Sequence, residues 1–128
     1  MWTRVSGAKK ILIVEDEAIA ALSLKELLEF WQYETCEPAA SGPEAIRKVE
    51  SERPDIVLMD IRLRGEMDGV RAAREIITRL GVPVIFMSGF SDEEIQGKEG
   101  LEHAAFLVKP INLDDLRKAI ESMTGGRR

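Results

Sequence analysis

Apolar residues in this chain fall into two patterns: short unbroken runs and longer stretches at helical spacing. Ile11–Val14, the Asp55–Asp60 stretch and Val82–Met87 carry apolar side chains without polar alternation. Such runs predict strands buried on both faces, as in a parallel sheet covered by helices. Ala104–Val108 reads as a further strand. Tyr33–Ala39 is weaker, and Pro38 places it at an edge or ends it.

Between the runs lie helical patterns. Glu17–Trp31 places Ala20, Leu24, Leu27, Leu28 and Trp31 on one stripe. Ile19, Leu22 and Phe30 lie off it, either as edge packing or as an exposed patch for a partner. Ser41-Gly42-Pro43-Glu44 is a capping box with proline in the first turn. The helix it opens should run to about Glu52, with Ala45, Ile46 and Val49 inward. Gly69–Leu80 carries Val70, Ala73, Ile76, Ile77 and Leu80 at helical spacing, and Gly81 caps it. Ser91 and Glu94 open another helix, which Gly97 and Gly100 keep short or mobile. Asn112 and Asp115 cap a last one, with Leu113, Leu116, Ile120 and Met123 as its stripe. Strand then helix, five times over, predicts an α/β three-layer sandwich with right-handed crossovers.

Length allows one domain, placed at residues 10–124 between short tails at 1–9 and 125–128. The tail before Lys10 holds one isolated Trp2 and lacks the apolar core of a signal peptide. A net charge of -5 argues against direct nucleic-acid binding. No apolar run approaches a membrane span. The lone Cys36 excludes an internal disulfide and fits a reducing compartment, so the expected location is the cytoplasm. His103, the only histidine, reads as a surface residue rather than a metal ligand.

Chemistry gathers at the strand ends. The first strand ends in Glu15 and Asp16, the third in Asp60, the fourth in Ser88 and the fifth in Lys109. In open α/β sheets that edge is where ligands bind. Adjacent carboxylates repel and call for a cation, and oxygen-only ligands suit Mg²⁺. A carboxylate can also attack phosphorus, with Lys109 and Ser88 supplying charge and a donor for the phosphoryl oxygens.

In order and spacing, Val14-Glu15-Asp16-Glu17, Val57-Leu58-Met59-Asp60, Met67-Asp68-Gly69, Phe86-Met87-Ser88-Gly89 and Phe106-Leu107-Val108-Lys109-Pro110 resemble the receiver domain of two-component response regulators. The resemblance runs from about Lys10 to Met123. It implies a flavodoxin-like doubly wound fold with a five-stranded parallel sheet in the order 2-1-3-4-5. It implies that Asp60 accepts a phosphoryl group from a sensor histidine kinase or a histidine phosphotransfer protein. Asp16, Asp60 and the backbone carbonyl of Arg62 would ligate Mg²⁺, with Glu15 acting mainly through a water. Lys109 would pair with the phosphoryl group and Ser88 would hydrogen-bond it. Ser88 and an aromatic ring, Phe106 by position or Phe90, would carry the switch to a downstream protein target. The Lys109–Pro110 peptide would be cis. The chain would be a phosphoacceptor rather than an enzyme, and a monomer or weak homodimer. Phe86-Met87-Ser88-Gly89-Phe90 is also similar to the Phe-x-Thr-Gly-Tyr signature of a single-domain subgroup. Arg64 stands where the family commonly has proline, and the Asp60–Gly69 loop is one residue longer than usual. The rival readings are an aspartate-dependent small-molecule phosphatase or phosphotransferase, and a receiver used only as a scaffold. The nucleophile of the rival enzymes follows the first strand, whereas here the first strand ends Glu15-Asp16-Glu17.

Overall fold

A computed structural model describes residues 8–63, 65, 67–89, 101 and 104–125. The elements in chain order are β1 (Lys10–Val14), α1 (Ala18–Phe30), β2 (Glu34–Thr35), α2 (Gly42–Glu52), β3 (Ile56–Asp60), α3 (Gly69–Glu75), β4 (Val84–Ser88), β5 (Ala105–Val108) and α4 (Leu113–Met123). All strand pairs are parallel, in the order β2-β1-β3-β4-β5. The fold is therefore the flavodoxin-like sandwich expected. The helix expected from Ser91, together with Trp2, Arg64, Phe90 and His103, lies outside the described residues.

Side chains two apart on a strand share a face, so each strand feeds two cores. Leu12, Val14, Val57, Met59, Val84 and Phe86 pack with α2 and α3. Ile11, Ile13, Ile56, Leu58, Ile85 and Met87 pack with Ala21 and Leu28 of α1 and Leu116 and Ile120 of α4. β3 and β4 are buried at every position. Each fully buried Val, Leu, Ile, Phe or Met contributes about 1.5–3 kcal/mol, which is why these strands lack polar alternation.

Local signals set the helix ends. The Ser41 hydroxyl accepts the Glu44 N–H at 3.3 Å, and the Glu44 carboxylate reaches back to the Ala40 N–H at 2.9 Å. Arg53, at φ 51°, ends α2. Asn112 Oδ1 accepts the Asp115 N–H at 3.0 Å and opens α4.

Four expectations need correction. Ala20 is exposed and Ala21 is buried, so the inner stripe of α1 is Ala21, Leu24, Leu27, Leu28 and Trp31. Alanine is too small to fix a helix face, and the larger Leu and Trp residues decide it. Leu113 is half exposed, because it begins α4 before the helix reaches the sheet. The Tyr33–Ala39 strand shrinks to Glu34–Thr35 plus a bridge between Val14 and Ala39, since Pro38 cannot donate to the ladder. The helix from Gly69 is not α-helical throughout. Its last turn, Ile76–Leu80, is a π-helix that Gly81 ends at φ 73°. Cys36 is buried, and loss of solvent pushes its thiol up to about 11, which makes it inert.

Candidate functional site

The site follows from topology. From β1 the chain moves to β2 on one side and β3 on the other, so β1 and β3 flank the point where strand order reverses. Ligands of such sheets bind outside the strands' carboxyl ends at that point. Val14 is in register with Met59, which sets the next residues, Glu15 and Asp60, side by side. Ser88 ends β4 and pairs with Val108, so Lys109 follows directly beside it. The Lys109 N–H donates to the Ser88 carbonyl at 2.6 Å.

The side chains converge. Carboxylate oxygens of Glu15, Asp16 and Asp60 lie within 4.8 Å of one another. Lys109 Nζ is 3.3 Å from Asp60 Oδ2 and 3.9 Å from Glu15 Oε1. Asp60 Oδ1 accepts the Arg62 N–H at 3.0 Å, and Glu15 Oε2 accepts the Glu17 N–H at 3.2 Å. Glu15, Asp60 and Ser88 are buried, while Asp16 is half-buried. Glu15, Asp16, Asp60 and Lys109, with Glu17, Arg62 and Leu63, line an open cleft of about 480 Å³. One ammonium among three close carboxylates leaves an excess of negative charge, and an oxygen-only donor set of this kind suits a hard divalent cation.

Two turns hold the carboxylates still. In both, a side chain accepts the N–H two residues on, which aims it before any ligand arrives. Neither hydrogen bond was anticipated from sequence, although an Asp or Glu just past a strand is the signal for one. Phe106 is half-buried and stacks on Phe86, with ring centroids 5.1 Å apart at 18°. The Lys109–Pro110 peptide is cis. Phe90, the other aromatic singled out, lies outside the described residues.

Glu15 is held above the usual carboxylate range. Burial is the main cause and the Asp60 charge adds to it, against the Glu17 N–H and Lys109. A carboxyl raised on folding penalises the folded state wherever it is ionised. The penalty is absent below the unfolded pKa, grows as pH rises toward the folded pKa, and is complete above it. Glu15→Gln should therefore raise Tm by a few degrees near neutral pH in EDTA, and the gain should vanish below about pH 4. Excess Mg²⁺ should stabilise the wild type more than the variant. Thermal melts across pH check this, and a gain that persists in acid would assign the effect to packing.

The family model described as the response regulator receiver domain matches residues 11–121. The transcriptional regulatory protein PdtaR of Mycobacterium tuberculosis is 35% identical over 114 residues, covering 88% of this chain and 55% of PdtaR. The chain thus spans about half the length of that relative. Sporulation initiation phosphotransferase F of Bacillus subtilis is 34% identical over 119 residues, covering 88% of this chain and 91% of that protein. Among solved structures, the signal receiver domain of a modulated diguanylate cyclase from Desulfovibrio desulfuricans superposes with a TM-score of 0.76 at 33% identity, covering 92% of this chain and 94% of that one. The receiver domain of a Pseudomonas aeruginosa sensor histidine kinase, solved with magnesium in its active-site cleft, gives 0.73 at 28%, covering 93% and 99%.

Proposed function

Because this chain belongs to the response regulator receiver domain family, we propose that Asp60 is its phosphoacceptor, charged by a phosphohistidine on a sensor histidine kinase or a histidine phosphotransfer protein. The single observation that carries this is the buried Asp60 carboxylate, 3.3 Å from the Lys109 ammonium and beside two further carboxylates. An Asp60 oxygen attacks phosphorus, the new O–P bond forms, and the P–N bond breaks with its electron pair leaving on the imidazole. Lys109, released from Asp60, pairs with a phosphoryl oxygen, and the Ser88 hydroxyl donates to another. The Arg62 N–H keeps the carboxylate aimed while its other oxygen reacts.

Asp16, Asp60 and the Arg62 carbonyl would hold Mg²⁺, with Glu15 through a water. The ion would neutralise charge on the phosphoryl oxygens. Ile19 and Leu22, 81% and 53% exposed on α1, would form the apolar patch that meets the donor's histidine-bearing helix. Ser88 and the Phe106 ring would carry the switch to a downstream protein.

The test is acetyl phosphate with Mg²⁺, read by intact mass. The expected result is a gain of one phosphoryl group that EDTA abolishes. No gain with Mg²⁺, or an equal gain in EDTA, would overturn the reading.

A further inference from the structure

On the other side of Glu15 and Asp16 from the acidic cleft lies a second groove, of about 350 Å³. One wall is the start of α1, and the other is the segment 37–40 leading from β2 to α2. Small residues make it: Ala21 and Ala39 are buried at its floor, and Ala18 and Ala40 leave its sides unfilled. Leu22 and Pro38 extend the apolar surface. None of this space takes part in the phosphoryl chemistry above.

The charges around it are unbalanced. Its one lining cation, Lys25, is held by Glu29 at 2.9 Å, and the fields of Glu37 and Glu26 fall on the same ammonium. Glu15 and Asp16 also line the groove but are taken by Mg²⁺ in the reading above, so the carboxylate left to meet a cation is the exposed Glu37. An apolar floor beneath excess carboxylate is complementary to a cation on an apolar stem. Arginine is that group: its methylenes cover alanine and leucine surface while its guanidinium pairs with a carboxylate in two bonds. The groove shares Glu15 and Asp16 with the acceptor cleft, so its occupant must stand beside the incoming phosphoryl group.

We propose that this groove seats an arginine side chain of the protein phosphodonor, its stem over Ala18, Leu22 and Ala40 and its guanidinium at Glu37. The donor is then selected by charge as well as by apolar shape. This rests on the phosphoacceptor reading, because only the neighbouring site makes the donor the occupant.

Benzamidinium, whose planar amidinium can pair with a carboxylate in two bonds as guanidinium does, serves as the probe, titrated into the full chain with saturating Mg²⁺ and followed by amide NMR. Saturable shifts are expected at Ala18, Leu22, Ala39 and Ala40, with a Kd in the millimolar range. Glu37→Gln should weaken binding severalfold, and neutral benzyl alcohol should bind more weakly than the cation. Shifts confined to Asp60 and Lys109, or equal affinity for Glu37→Gln, overturn the proposal. With a phosphorylated histidine kinase that labels the wild type, Glu37→Lys should slow transfer about tenfold, since it sets like charges opposite. Unchanged transfer overturns the assignment to the donor. Acetyl phosphate labelling of both Glu37 variants should match the wild type, which separates failure of the groove from failure of the acceptor site.

Discussion

Asp60→Asn should take up no phosphoryl group from acetyl phosphate or from a kinase, a loss of at least about a thousandfold in rate. An amide nitrogen or oxygen at this position is a poor nucleophile toward phosphorus, and no second group replaces it. Asp16 is only half-buried, and Glu15 is drawn back by the Glu17 N–H at 3.2 Å. The variant should still fold. Asparagine keeps an oxygen for the Arg62 N–H, and relief of repulsion among three close carboxylates offsets loss of the 3.3 Å pair with Lys109. Its Tm in EDTA should therefore not fall, which separates loss of the nucleophile from loss of structure. The wild-type adduct should survive acid and be cleaved by hydroxylamine, as an acyl phosphate is. Labelling of Asp60→Asn at the wild-type rate would place the acceptor elsewhere.

The second large effect is on stability. Gly69→Ala should cost about 2–4 kcal/mol, lowering Tm by roughly 10 °C. Gly69 begins α3, and its N–H donates to the Ile61 carbonyl at 3.0 Å. A Cβ there would run into the Asp60 carbonyl oxygen and stand 2.9 Å from Ile61 Cα and 3.0 Å from the Asp60 carbonyl carbon. All three neighbours are backbone, so no side chain can swing aside. Relief requires moving either the helix or the end of the strand that carries Asp60, so phosphorylation should slow as well. A Tm within about 2 °C of wild type would mean that the two segments separate at little cost.

How much of this was legible in the sequence depends on which residues wrote the signal. Ile11–Val14 and Ile56–Asp60 announced buried parallel strands because every position meets a helix layer. Ser41, Asn112 and Gly81 marked helix ends because capping is local chemistry that a four-residue window contains. The gathering of Glu15, Asp16, Asp60 and Lys109 was legible because topology alone carries strand ends to one edge. What failed needed three-dimensional information. The face of α1 turned on Ala20 against Ala21, which only the sheet can settle. The closeness of Gly69 to Asp60 depends on the path of the intervening loop. The groove beside Asp16 is a space where side chains are small, and single-chain periodicity marks filled positions rather than empty ones.

The central place of β1 bears on how the chain is made. β1 precedes the sheet's other described strands in synthesis, yet Ile11 needs Thr35 on one side and Ile56 on the other. Among the described residues no strand pairs through a hairpin, so each of these ladders waits for a crossover to be synthesised. Leu12 and Ile13, fully buried in the folded sheet, lack their β3 partners Val57 and Leu58 until residues 56–60 have been synthesised. The strand that ends at Glu15 is thus translated early and completed late. Vectorial synthesis completes the cluster of Glu15, Asp16 and Asp60 only when Asp60 itself arrives.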